Sequence, residues 1–149
     1  MRIVFQRVRS ASVTADGAET GSIAAGALLL LGVRRGDTAA DAVWLARKVA
    51  GLRVFNDERG QMNRSLLDIR GEALVVSNFT LYGNCRHGRR PEFLSAARPE
   101  EAEPLYEQFV RLLREAGVAR VETGRFGADM QVSMAGDGPV TLLLDTDEK

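Results

Sequence analysis

Only two stretches of this chain carry apolar residues at helical spacing, while most of the rest is short apolar or alternating runs, so the fold must be built chiefly from strands. The clearest alternation sets Phe126, Ala128, Met130, Val132 and Met134 against Gly127, Asp129, Gln131 and Ser133, which predicts a strand with one dry and one wet face. Arg2 to Val8, Ser10 to Thr14 and Glu19 to Ile23 are β-branched runs, with Asp16-Gly17 as a turn signal between the last two. Ala27 to Val33 is too short for a helix, ends at Arg34-Arg35-Gly36-Asp37, and reads as a buried strand. Leu52 to Phe55 enters the polar turn Asn56 to Gly60, and Ala73 to Leu81 is a strand by its Leu-Val-Val centre. Gly136-Asp137-Gly138-Pro139 interrupts the alternating run before a last strand, Val140 to Asp145.

The two helical stripes are punctuated as helices should be. Thr38 with Asp41 forms a capping-box pattern ahead of Ala42, Leu45, Val49 and Leu52, with Gly51 near the C-terminus. Pro99 suits a first turn, Ala102, Leu105, Tyr106, Phe109, Leu112, Leu113 and Ala116 share one face, and Gly117 closes it. Pro104 falls early enough to be tolerated. Two helices cannot cover parallel crossovers throughout, so the expected class is α+β, with a mixed, largely antiparallel, barrel-like sheet.

No repeat or linker appears within the 149 residues, which predicts one domain over 1–149. A lone Cys85 allows no internal disulfide and no cysteine-based metal site, so we expect no metal, no cofactor and a reducing, cytoplasmic setting. The N-terminal ten residues interleave charged and apolar side chains, unlike a signal peptide, and the apolar run Ala27 to Leu31 is far short of the roughly 20 residues that cross a bilayer, so no membrane partner is expected. Twenty Lys+Arg balance 20 Asp+Glu, which argues against coating long duplexes and confines any nucleic-acid contact to a local patch.

Few residues offer side-chain chemistry. His87, the single histidine, lies among Arg86, Arg89 and Arg90 and reads as a surface residue rather than a general base. Cys85 beside Arg86 could be activated, but a lone cysteine is more often inert. The three arginines suit phosphates of an RNA end as well as they suit a solvated face. Two segments exceed ordinary strand chemistry: Ser77-Asn78-Phe79-Thr80-Leu81, which crowds polar groups around one aromatic, and Asp137-Gly138-Pro139-Val140-Thr141, a turn with an X-Pro bond.

Together these two segments resemble the signature motifs of the D-aminoacyl-tRNA deacylases. The resemblance runs along most of the chain, through Gln6-Arg7-Val8, Ala11-Ser12-Val13, Arg53-Val54-Phe55, Gly60-Gln61-Met62-Asn63, Gly88-Arg89-Arg90-Pro91, Thr123-Gly124-Arg125-Phe126 and Asp129-Met130-Gln131-Val132. It implies a homodimer that hydrolyses the ester between a D-amino acid, or glycine, and the 3′-terminal adenosine of tRNA. Ser77, Phe79 and Thr80 would be catalytic, with main-chain N–H groups near Phe79 and Thr80 as an oxyanion hole; Thr80 as a nucleophile ranks second. Gly138-Pro139, cis in the family and inserted into the other subunit's site, would exclude L side chains. Arg7 would brace the partner's Gly-Pro loop, and Asn78, Phe126 and Met130 would line the pocket. Arg7 also reads as a strand-surface cation, and Phe126 and Met130 as core residues. Position 78 is usually Gln in the family; Asn keeps the amide but shortens its reach.

Two further readings stay open on the sequence. One is a related deacylase with a trans Gly-Pro that removes a small L-amino acid; the other is a noncatalytic module that binds RNA ends through Arg86, Arg89 and Arg90.

Overall fold

The computed structural model describes residues 1–149 as a curled mixed sheet with two α-helices against one face. Strands are β1 (Arg2–Ala15), β2 (Ala18–Ile23), β3 (Gly26–Gly32), β4 (Phe55–Asn56), β5 (Met62–Arg64), β6 (Glu72–Ser77), β7 (Arg120–Thr123) and β8 (Met130–Asp145); the helices are α1 (Ala39–Gly51) and α2 (Pro99–Glu115). The main sheet runs β2-β1-β3-β6-β7, and β8 pairs along the other edge of β1. β1 meets β2, β3 and β8 antiparallel, whereas β3–β6 and β6–β7 are parallel. The α+β class with a mixed sheet is therefore correct.

The sheet curls until β2 nears β7. A Cβ added to Gly21 would stand 2.7 Å from the Thr123 carbonyl, so only glycine permits that approach. Seven buried residues, among them Val8, Val13, Leu74 and Val76, fill the inside of the curl. On the outer face a larger cluster joins Phe5, Leu29 and Val75 of the sheet to Leu45 and Val49 of α1 and Phe109 and Leu113 of α2. Burial alternates along β1 and changes face midway: Ile3 and Phe5 join the outer cluster, Val8, Ala11 and Val13 the inner one.

Several expected boundaries move. The two opening runs are one 14-residue strand, because β1 is paired along its whole length by β8. The strand expected over Ala73 to Leu81 ends at Ser77, and Phe79–Tyr82 is a 3-10 turn instead. Phe126 to Asp129 are not strand but a turn with Gly127 at φ +73°; the strand begins only at Met130. Gly136 to Pro139 does not divide β8. Strand geometry continues, yet the pairing jumps from Gln6↔Thr141 to Val8↔Gly136, so Arg7 alone faces the bulged residues Asp137 to Val140. β5 and β7 are additional short strands.

The capping pattern is realised: the Thr38 N–H and hydroxyl donate to Asp41 Oδ2 at 2.7 and 2.8 Å. No helix is long and apolar enough to cross a membrane.

Candidate active site

β6 ends at Ser77, beside Leu31 of β3, and the chain then turns away from the sheet. The Asn78 N–H donates to the Leu31 carbonyl at 2.8 Å, the last sheet-like bond before the 3-10 turn. Within that turn the first bond runs from Leu81 N–H to Asn78 O, 3.3 Å, which leaves the N–H groups of Phe79 and Thr80 without a partner inside the turn. Gly32 makes room for it: a Cβ there would lie 3.1 Å from the Asn78 carbonyl and 3.2 Å from Leu81 Cβ.

The turn forms one wall of a cleft of about 920 Å³. Ser77, Asn78, Phe79 and Thr80 line this wall, Phe126 and Met130 face the same space, and Val132 and Met134 extend it along β8. The alternation seen in the sequence is thus real from Met130 to Met134, but its apolar face lines the cleft: Val132 and Met134 are exposed rather than core. Phe79 is 57 % exposed and stands edge-on to Phe93, ring centroids 5.1 Å apart. Phe126 packs at 5.7 Å against Tyr106, whose hydroxyl donates to the Val75 carbonyl at 2.8 Å. Burial pushes the Tyr106 phenol well above its ordinary pKa, so it stays a neutral donor. Arg35 and Arg98 also line the cleft, and no sequence pattern singled them out.

The Thr80 hydroxyl donates to Asn78 Oδ1. An amide oxygen cannot take up a proton at neutral pH, so Asn78 is not a general base for this hydroxyl. His87, Cys85, Arg86, Arg89 and Arg90 are all exposed, on the excursion between the bridged residues Asn84 and Glu92. Phe93, just after that bridge, connects the loop to the cleft wall.

The remaining expected residues lie elsewhere. Gly138 and Pro139 are exposed on the β8 bulge, do not line their own chain's cleft, and are joined by a cis peptide bond. Arg7 is buried rather than a surface cation, and it grips the Asp137 end of its own chain's loop. Its Nε meets the Asp137 carbonyl at 3.2 Å and Asp137 Oδ2 at 3.1 Å, while Nη1 donates to the Val54 carbonyl at 2.6 Å. A guanidinium can do all of this because its donors are spread around a rigid plane. The bulge is thereby fastened to the β4–β5 hairpin.

The family model described as D-Tyr-tRNA(Tyr) deacylase matches residues 4–145. The chain belongs to that family. A D-aminoacyl-tRNA deacylase of Thermomicrobium roseum is 60% identical over 148 residues, covering 99% of this chain and 96% of the relative. That of Thermus aquaticus is 58% identical over 149 residues, covering 100% and 97%. A solved structure titled c-Myc DNA Unwinding Element Binding Protein superposes with TM-score 0.92 at 40% identity, covering 98% of this chain and 99% of that one. A probable eukaryotic D-amino acid tRNA deacylase, TM-score 0.85 at 16% identity and covering 96% and 97%, shares the fold. Membership in the deacylase family makes this chain an enzyme, so the noncatalytic reading gives way.

Proposed function

We propose that this deacylase hydrolyses the ester of D-aminoacyl-tRNA and of glycyl-tRNA, the latter as glycine mischarged on alanine tRNA, while sparing L-aminoacyl-tRNA, and that it does so as a homodimer in the cytoplasm. The observation that carries the reading is a separation: the catalytic motif lines the cleft, whereas Gly138-Pro139 projects from the same chain outside it. A filter placed there can meet an ester only in the cleft of a second copy.

The ester carbonyl would lie against the amides of Phe79 and Thr80, and charge developing on its oxygen as water attacks would be held by those donors. Removing one such donor costs about 3 to 4 kcal/mol in comparable sites. The acyl–oxygen bond then breaks, the adenosine 3′-oxygen taking the proton of the neighbouring 2′-hydroxyl while that hydroxyl takes one from the attacking water, so that free amino acid and an intact terminal adenosine result. Ser77 and Asn78 close the wall beside the carbonyl, and Phe126 and Met130 offer apolar surface to the adenosine. Arg86, Arg89 and Arg90 would meet phosphates of the acceptor end. The partner's Gly138 and Pro139 would set main chain where an L side chain must go. Glycine, lacking one, passes.

The test is ester loss from tRNA charged with D-Tyr, L-Tyr, Gly or L-Ala at catalytic protein concentrations. Turnover of D-Tyr and Gly with L-Tyr and L-Ala spared is expected; preferential L-Ala turnover would favour the related small-L-residue deacylase. Thr80→Val should keep kcat on D-Tyr-tRNA within about ten-fold if main-chain donors carry the reaction. Abolished turnover in a folded Thr80→Val protein would restore Thr80 as the nucleophile.

A further inference from the structure

Arg2 belongs to none of the motifs above, yet its side chain reaches the turn that carries the Phe79 and Thr80 amides. It opens β1, where its Cα partners are Asp145 on β8 and Gly32 on β3. Nε and Nη2 converge on one oxygen, Asp145 Oδ2, at 2.8 and 2.7 Å, and that carboxylate is 6 % exposed. Nη1 donates to the Leu81 carbonyl at 2.9 Å. The guanidinium carbon also lies 4.8 Å from the centre of the Tyr82 ring.

Leu81 and Tyr82 are the second half of the 3-10 turn. A single such turn has few bonds of its own and poor bond geometry, so its orientation must be set from outside. Gly32 permits the close approach, and Arg2, its cross-strand partner, supplies directional contacts to a backbone acceptor and to an aromatic face together. Asp145 in turn holds the guanidinium. Burial pushes this carboxyl up, but the Asp147 N–H and Arg2 together outweigh burial and keep it below the usual carboxylate range.

We propose that Arg2 is a positioning residue for deacylation: by fastening Leu81 and Tyr82 to the end of β8, it fixes the direction in which the Phe79 and Thr80 amides point. This rests on the reading of those amides as the donors to the ester carbonyl. β8 also carries Gly138-Pro139, so one strand anchors the donor turn of its own chain and carries the filter.

Three proteins decide it: wild type, Arg2→Gln and Arg2→Lys, each assayed on D-Tyr-tRNA and by amide hydrogen exchange. Arg2→Gln should lower kcat about ten- to a hundred-fold with KM within about two-fold, since misplacement rather than binding is at stake. Exchange should quicken at the hydrogen-bonded amides of the turn, Leu81 and Gly83, while β1 and β3 keep their protection. Arg2→Lys, which can reach Asp145 or Leu81 but not both in a fork, should fall between. A wild-type kcat in Arg2→Gln, or faster exchange spread along β1 and β3, overturns the proposal. Should wild type leave D-Tyr-tRNA intact, the functional reading fails, whereas exchange at the turn still decides whether Arg2 holds it.

Discussion

Gly138 sits at φ +120°, in the half of the map that L side chains rarely adopt, and a Cβ there would lie 2.8 Å from Val140 N and 2.9 Å from Val140 Cγ2. The same atom would lie 3.2 Å from Arg7 Nη2, so a methyl group disturbs the bulge and its anchor together. Gly138→Ala should therefore shrink the preference for D-Tyr-tRNA over L-Tyr-tRNA by about ten-fold or more, read as the ratio of the two kcat/KM values. A wild-type ratio in that variant would refute exclusion by this main chain. At this scale the sequence was informative: Ser77, Asn78, Phe79, Thr80, Phe126 and Met130 converge on one cleft. Arg7 was not legible as a buried residue. Its burial comes from Val54, Asn56 and Asp137, all distant along the chain.

Elements were legible where their periodicity is local. Both helices lie where the stripes and caps placed them, because capping and an apolar face are properties of a dozen neighbouring residues. The 3-10 turn was hidden: Phe79-Thr80-Leu81 continues an apolar strand in composition, and only Gly32 and Arg2 reveal why the chain turns there. β7, four residues alternating charged with apolar or small groups, is a strand because β6 offers it a parallel partner. Tyr106 shows how α2 supports the site. Its buried hydroxyl meets the Val75 carbonyl, which also accepts from Gly124 N–H at 3.2 Å. Since that carbonyl keeps a second donor, Tyr106→Phe should cost only about 0.5–1.5 kcal/mol, measured as a shift in urea midpoint. A loss far above this would mean that the hydroxyl supports more than one carbonyl.

The whole molecule is held at its ends by charge. The Met1 ammonium pairs with Asp37 at 2.7 Å and Lys149 with Asp41 at 2.6 Å, while Arg34 pairs with Asp147. Burial raises the Asp41 pKa, but hydrogen bonds from Lys149 and Thr38 outweigh it and the net shift is well downward. Asp145 is shifted the same way. Carboxyls depressed in the folded state bind fewer protons than in the unfolded chain, so their contribution is whole above the unfolded value of about 3.9 and lost as pH falls through the folded values. The urea midpoint should hold from pH 7 to about 5 and fall steeply below about 4, less so in Asp41→Asn. A midpoint indifferent to acid would exclude these pairs as a source of stability.

β8 pairs on one side only, with β1, and its far half exposes Leu142 at 37 % and Leu143 at 58 %. An apolar edge of this kind invites a second copy. Leu143→Asp should raise the monomer fraction in sedimentation and lower D-Tyr-tRNA turnover in parallel; a monomer with undiminished turnover and selectivity would defeat the shared-site reading.

By itself the sequence determined the class of fold, the two helices, and the motif residues that meet in the cleft, because periodicity, caps and motif chemistry are written in adjacent residues. Only the tertiary structure decided that β8 lines a cleft instead of a core, that Arg7 is buried, and that Gly138-Pro139 stands outside the lining of its own chain's cleft. Those outcomes depend on pairings between residues more than a hundred positions apart, such as Arg2 with Asp145 and Arg7 with Asp137, and no local pattern encodes which partner a strand edge will find.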